Sequence, residues 1–390
     1  MNNKNILILT PSLENSGGVA NYYNILKSKL SFDHEFFVVG KREAEHHDAP
    51  QRSHILRLIS DYISFIRLLW GSNHNLVLIN PSLNFNGFNR DYIFYLISRL
   101  FRKKTIVFFR GWDDGYAQTV FSGRLRFLFR PLLRSDGFIV LANQFKDIIA
   151  PHLKSSRIFV DTTVFDERML PQGYESLFQL KNPEKRIRML FLSRIEADKG
   201  VYESIAAYKN LRKKNIDVEL IIAGSGSEAN NVRQLVEEYG DENLRYVGRI
   251  GGHEKTEALL SSSVLLFPSM HAEGMPNTVL EAMGCGLAVI ATKVGGMNDF
   301  FVGESMGAEL TNDLTAEIEA AVTGLNNDRE LLHTVSMFNY NFAKKYFYSE
   351  RIVERLNNII DGVLFDRKCS DSWIKYHAPP RVEITSDPCQ

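Results

Sequence analysis

The 390-residue sequence has no surplus of either charge, since 46 Lys and Arg balance 46 Asp and Glu. A chain that grips nucleic acid needs a basic excess to displace phosphate counterions, so the balance argues against a general polyanion binder. Cysteine is scarce: Cys285, Cys369 and Cys389 have no framework spacing and no Cys-x-x-Cys pair. Neither a disulfide scaffold nor a structural zinc site is supported, and a reducing, cytosolic setting is the simple expectation. Long apolar runs are missing as well. No stretch reaches the ~18 uncharged apolar residues of a spanning helix, and residues 92–100 and 127–133 are both broken by arginine. The run at 6–9 is too short for a signal peptide and reads as a buried first strand. There is no repeat of solenoid length, no low-complexity tract, and no Asp-x-Asp of the kind a divalent ion favours.

What is present is 44% hydrophobic residue, enough to bury a core, on a chain too long for one core. Two domains are expected. In the first half, strand-like runs at 5–10, 35–39, 76–80, 105–109 and 137–141 alternate with helical patterns at 19–30, 54–70, 92–101 and 144–152, with a last strand at 157–160. Residues 161–183 lose periodicity and read as a linker. The grammar then restarts, with strands at 188–192, 218–223, 244–247, 264–268 and 288–291 and helices at 200–214, 227–238, 254–261 and 277–284. Strand and helix in alternation imply βαβ units and parallel sheets. The expected architecture is α/β, two Rossmann-like domains facing across a cleft. Ligands of such sheets sit at the carboxyl ends of the strands. A helical pattern at 349–364 closes the ordered part, and the polar tail at 366–390 has no clear period.

Four motifs carry candidate chemistry. Gly17-Gly18 follows the first strand and opens a helix, where glycine lets backbone approach a phosphate; without G-x-G-x-x-G spacing, the pair reads equally as a plain loop. Arg194 and Lys199 flank a loop after the second domain's first strand and suit a diphosphate clamp; the alternative is a solvated loop with Lys199 paired to Glu196. Gly224-Ser-Gly226 is a close backbone approach or, more simply, a turn. The fourth motif outweighs these. In the run from His271 to Gly286, Glu273 sits in a Gly/Pro turn and Glu281 one turn into a helix starting at Asn277. Carboxylates accept hydrogen bonds from the vicinal hydroxyls of a polyol, and the backbone N–H groups at Pro276–Thr278 suit a phosphate. The bland alternative makes one glutamate a cap and puts the other on a solvated face. His271 reads as a satisfied turn residue.

The order of these residues carries a resemblance. Arg194, Lys199, Gly224, Glu273-Gly-Met-Pro with Glu281, and the run 288–296 ending in Gly295-Gly296 resemble the donor-binding domain of glycosyltransferase family 4, retaining enzymes of the GT-B fold. The Ser16-Gly17-Gly18-Val19 loop and the helix at 346–364 are similar to the family's first loop and its last, crossing-back helix. The resemblance spans about residues 4–365, more strongly in the second half. It implies an acceptor-binding domain at 1–170, a donor-binding domain at 171–346 and a crossover helix at 347–365. It also implies transfer from a nucleotide diphosphate sugar, UDP- or GDP-linked, to a glycan or lipid-linked acceptor, with no metal and no further cofactor. By matching position, Glu281 would hold the ribose hydroxyls and Glu273 those of the donor sugar. Arg194 and Lys199 would neutralise the diphosphate, and the Gly274-Met275-Pro276-Asn277-Thr278 backbone would contact sugar and phosphates.

One position departs from the family. After the strand at 105–109 many members carry histidine, and this chain has Arg110. Arginine can donate at the reacting centre but cannot act as a base; alternatively it pairs with Asp113 or Asp114 and only shapes the loop. That departure keeps open a catalytically inactive nucleotide-sugar-binding or assembly subunit, and a small soluble acceptor is a further alternative. The charge balance also hides a division. Residues 1–170 hold 22 basic and 15 acidic residues, and the rest 24 and 31. The segment from Arg90 to Arg134 alone has ten basic and three acidic residues, interleaved with Phe and Leu. It reads either as a peripheral contact with an anionic membrane or as a helix with its apolar side in the core.

Overall fold

The computed structural model describes residues 4–15, 17–40, 51–124, 126–153, 157–171, 173, 176–177, 186–271, 273–367 and 373. Ser16 of the first loop and most of the tail at 366–390 lie outside the described residues.

Contiguous apolar runs become parallel strands because both faces of each sheet are covered. In the first half these are β1 (Asn5–Thr10), β2 (Asp33–Val38), β3 (Leu76–Ile79), β4 (Lys104–Phe108), β5 (Gly137–Val140) and β6 (Arg157–Val160). They form one parallel sheet in the order β2-β1-β3-β4-β5-β6. Helices α1 (Gly18–Leu26), α2 (Gln51–Trp70), α3 (Phe85–Leu100) and α4 (Asn143–Ile149) connect them. The expected helix at 92–101 starts earlier, at Phe85, because the Asn84 side chain accepts the Gly87 N–H at 2.9 Å and caps it. The stretch 114–134 is a series of short helical turns, Asp114–Ala117, Gln118–Ser122, Arg126–Phe129 and Leu132–Arg134, so the alternative that read Arg90–Arg134 as one amphipathic helix does not hold.

The second half builds β7 (Ile187–Leu192), β8 (Val218–Ala223), β9 (Leu244–Gly248), β10 (Val264–Phe267), β11 (Ala288–Thr292) and β12 (Gly307–Leu310). This sheet is also parallel, ordered β9-β8-β7-β10-β11-β12. Its helices are α5 (Val201–Lys213), α6 (Ala229–Tyr239), α7 (Gly252–Ser261), α8 (Asn277–Gly284), α9 (Leu314–Asn327) and α10 (Arg329–Tyr346). Helix α11 (Ser349–Phe365) follows. Both layouts are Rossmann-like.

The chain divides into two compact units. The first takes the residues up to Val164, residues 273–275 and α11; the second takes Phe165–His271 and Pro276–Tyr348. Phe165 belongs with the second unit for a packing reason. Its N–H bonds to Phe347 O at 2.9 Å, and its ring fills the space beside Gly284, where an added Cβ would meet it at 2.7 Å. Helix α11 is tied to the first unit by ion pairs: Arg355 Nε donates to Asp161 Oδ1 at 2.7 Å, and Lys4 Nζ lies 2.5 Å from Asp361 Oδ1.

Candidate active site

In an open parallel sheet, ligands bind outside the carboxyl ends of the strands at the point where strand order reverses, because the connections on its two sides run to opposite faces. In the second unit that point lies between β7 and β10. The loop after β7 carries Arg194 and Lys199; the loop after β10 runs through Ser269 and His271 to α8.

These two loops are stitched together. Met270 N–H donates to Asp198 O at 2.8 Å, His271 Nδ1 lies 2.8 Å from Asp198 Oδ2, and Lys199 Nζ is 3.5 Å from Ser269 Oγ. His271 is thus the satisfied turn residue expected. Lys199 is buried while Arg194 is exposed, and Glu196 pairs with Arg194 at 2.8 Å, not with Lys199. The alternative of a solvated loop with Lys199 paired to Glu196 does not hold, since Glu196 lies beside the exposed Arg194 guanidinium. Gly200, with φ 75°, sits where a Cβ would be 2.4 Å from Pro268 O, so only glycine lets the two loops close up.

Gly224 and Gly226 serve the same end. A Cβ at Gly224, whose φ is 149°, would fall 1.8 Å from Ser193 O, and one at Gly226 2.3 Å from Ile195 O. The simple-turn reading is overturned. The glycines admit the backbone of the Arg194 loop, which Ile195 N–H then fastens to Ser225 O at 3.0 Å.

Helix α8 begins at Asn277 after Pro276, with no side chain capping it, so its first N–H groups and the positive end of its dipole face outward from the helix. Glu281 is one turn in. It is buried, only 4% exposed, against α7: Oε1 accepts from Lys255 Nζ at 2.7 Å and Oε2 lies 2.6 Å away. The solvated-face alternative for this glutamate is ruled out. Glu273, Gly274 and Met275 group with the first unit, Glu273 half-buried and Met275 buried.

In the first unit the strand order reverses between β1 and β3. Gly17 ends the loop after β1 and precedes α1, which no side chain caps. Its φ of 166° is ordinary extended backbone, and a Cβ there would meet nothing within 4 Å. Neither strain nor crowding demands glycine at 17. Gly18 is the first residue of α1.

Arg110 follows β4. Its Nε donates to Asn80 Oδ1 at 3.2 Å, and its guanidinium carbon lies 3.7 Å from the Tyr22 ring centre and 3.8 Å from that of Phe108. Asn80 also accepts from Tyr23 OH at 3.0 Å and donates to Leu9 O at 2.9 Å, which fixes the group. The alternative pairing of Arg110 with Asp113 or Asp114 does not form. Asp113 caps the turn Asp114–Ala117 by accepting Tyr116 N–H at 2.7 Å, and Asp114 accepts from Trp112 Nε1 at 2.9 Å. Arg110 Nη2, the Tyr22 hydroxyl and Thr10 Oγ1 are buried without a hydrogen-bond partner among the described residues. Burial drives the Tyr22 phenol far above its ordinary range, so it stays protonated. A Cβ on Gly274 would lie 3.2 Å from Arg110 O, so the Glu273-Gly274 stretch passes close to this cluster within the unit.

A family profile described as glycosyl transferases group 1 matches residues 174–342. The phosphatidyl-myo-inositol mannosyltransferase of Mycolicibacterium smegmatis is 29% identical over 175 residues, 44% of this chain and 42% of that protein. The N-acetyl-alpha-D-glucosaminyl L-malate synthase of Bacillus anthracis is 26% identical over 234 residues, 58% and 59% of the two chains. This chain thus spans about half the length of the curated relatives it matches. A crystal structure of Anabaena Alr3699/HepE in complex with UDP-glucose shares the fold, with TM-score 0.66 and 14% identity over 93% of this chain and all of that one. The architecture is that of the GT-B glycosyltransferases, two Rossmann-like α/β units.

Within the matched stretch 174–342, reading the residues alone missed Lys255, which has no motif around it beyond a helix start at Gly252. In the first unit it missed Tyr22, Tyr23 and Asn80, whose apolar or loop positions give no sign that they enclose Arg110. Among the described residues no three His, Cys, Asp or Glu side chains are grouped to hold a metal ion. No helix among them is long and apolar enough to cross a membrane.

Proposed function

We propose that this chain is a retaining glycosyltransferase that moves a sugar from a nucleotide diphosphate sugar, UDP- or GDP-linked, to a glycan or lipid-linked glycan acceptor in surface polysaccharide biosynthesis. The observation that carries the reading is the second unit's switch point. Arg194, Lys199 and the uncapped start of α8 follow the two strands that flank it, with Glu281 a turn further on. As the nucleoside diphosphate leaves, negative charge builds on its oxygens. Two fixed cations and a helix N-terminus stabilise that charge more than they stabilise the ground state, without a metal. On this reading Glu281 accepts from the ribose hydroxyls and Glu273 from the donor sugar. The Gly274, Met275, Pro276, Asn277 and Thr278 backbone lies along sugar and phosphates, and Gly17-Gly18 leaves room for a phosphate. Arg110 acts as a donor at the reacting centre, since guanidinium holds its protons. The working place is the cytoplasm, with the Arg90–Arg134 segment against the membrane.

Thermal shift against UDP, GDP, ADP and their sugars tests the donor assignment. A nucleotide at about 100 times its Kd adds roughly 2.7 kcal/mol of stability. If none of them moves the transition, the reading fails. Arg110 favours a second reading, a nucleotide-sugar-binding subunit without turnover; binding without transfer or donor hydrolysis on any acceptor would select it. A soluble acceptor is the alternative favoured by the likeness to the L-malate synthase.

A further inference from the structure

The first unit presents an exposed apolar surface that includes none of the site residues named above. Helix α2 turns Ile55, Leu56, Ile59, Ile63, Ile66 and Trp70 to solvent, with Leu56 68% and Trp70 81% exposed. Spacings of three and four residues line them along one stripe. The stripe is not the helix's core-facing side, because Phe65 and Leu69 are buried beneath it. Helix α2 is therefore apolar on both sides. Helix α3 runs beside it, joined by ring contacts between Phe65 and Phe94 at 5.1 Å and between Trp70 and Phe101 at 6.1 Å. It adds exposed Ile93, Leu96 and Leu100 to the same surface.

Among the described residues the exposed charge on this surface has one sign. The carboxylates of the two helices, Asp61 and Asp91, are buried, and Asp91 is 2.6 Å from Arg90 Nε. Arg67 and Arg102 are exposed. Next to α3, Tyr92 OH donates to Leu128 O at 2.7 Å, which anchors the turn Arg126–Phe129. On that turn Phe127 and Leu128 are exposed among exposed Arg124, Arg126 and Arg130. A second copy of the chain would set cation against cation here, whereas an anionic bilayer supplies both phosphates and an apolar boundary.

We propose that α2 and α3 lie in the plane of an anionic lipid surface, with the α2 stripe in the boundary between headgroups and acyl chains and the arginines on the phosphates. The inference deepens the membrane-side reading above by naming α2, outside the Arg90–Arg134 segment, as the element that inserts.

The test uses the full chain and vesicles of phosphatidylcholine with about 30 mol% phosphatidylglycerol, sedimented at low and high salt. Wild type is expected to bind. Replacing Ile59, Ile63 and Ile66 together by Ser is expected to lower the partition at least about tenfold, from the apolar area withdrawn. Trp70 emission should shift to the blue on binding, and Trp70→Phe should remove that shift; this readout needs no folded triple variant. A retained thermal response to UDP shows that the variants hold their donor fold. If Arg124, Arg126 and Arg130 changed to Gln abolish binding while the Ile triple binds as wild type, the α2 inference is overturned and the membrane reading survives. If wild type binds no vesicle, both fall. If wild type is a dimer that the Ile triple makes monomeric, the stripe belongs to a second copy and the inference is overturned.

Discussion

Replacing Glu281 by Gln separates a structural glutamate from one that meets a ligand. The change keeps volume and one acceptor oxygen but removes the charge facing Lys255 at 2.6–2.7 Å. Breaking a fully buried pair by removing one partner costs about 3–5 kcal/mol, because the other charge is stranded. Here only Glu281 is deeply buried, while the Lys255 side chain is 28% exposed and can recover hydration. The expected loss is therefore about 1–2 kcal/mol, a fall of roughly 2–8 °C in Tm for a unit of this size. Most of it should persist in high salt, since screening acts weakly on a buried carboxylate. Scanning fluorimetry reads the stability and a UDP titration reads the affinity. If Glu281 accepts from donor hydroxyls, Kd rises about 10–100-fold beyond any effect of stability, as expected when a charged hydrogen bond is lost. A lowered Tm with unchanged Kd would refute the ligand role and leave Glu281 as a packing ion pair.

The two glycine loops should respond in opposite ways. Gly17→Ala meets no neighbour, so stability should change by less than about 1 kcal/mol while donor affinity falls if a phosphate approaches there; equal affinity removes Gly17 from the site. Gly224→Ala drives a Cβ into Ser193 O and should cost about 3 kcal/mol or more in urea unfolding, and a mild effect would contradict the loop packing. Arg110→Met removes a guanidinium with an unpartnered buried nitrogen, so stability should shift by no more than about 1 kcal/mol. Transfer activity should nevertheless drop by about tenfold or more, and full activity would exclude Arg110 from catalysis. Glu219 supplies the pH dependence. Burial pulls its carboxyl upward, but hydrogen bonds from Arg188 and Arg245 outweigh this and hold it below its ordinary 4.5. Its contribution is full above pH 4.5 and is lost as pH falls through the lowered value, so Glu219→Gln should flatten the acid limb of a stability–pH curve. An unchanged acid limb would refute that assignment.

The strands were legible because a parallel strand buried on both faces must be a continuous apolar run, as at Leu76–Ile79 and Val218–Ala223, where every residue is buried. Helix α8 was legible to the residue, since Pro276 can start a helix and Gly286 can follow its end. Strand β12 escaped notice: Gly307–Leu310 is a short edge strand with a charged residue, and only β11 beside it makes it a strand. Helices α9 and α10 begin behind Asp313 and Asp328, whose side chains accept Ala316 and Leu331 N–H. That capping signal stood in the sequence unread.

Sequence alone determined the doubly repeated α/β grammar and the order of the Arg194, Lys199, Glu273 and Glu281 motif, because burial period and local backbone chemistry are properties of neighbours along the chain. Which partner each polar residue meets was decided only by tertiary structure. Gly224 packs on Ser193, Glu281 on Lys255, and Arg110 between Tyr22 and Phe108 rather than beside Asp113. Those neighbours are 26 to 88 residues away in all but one case, and hydrogen bonding and ion pairing depend on distance in space. The exposed stripe of α2 has the same origin. Its periodicity announced an amphipathic helix, and only the packed unit showed that a second apolar face had been left in solvent.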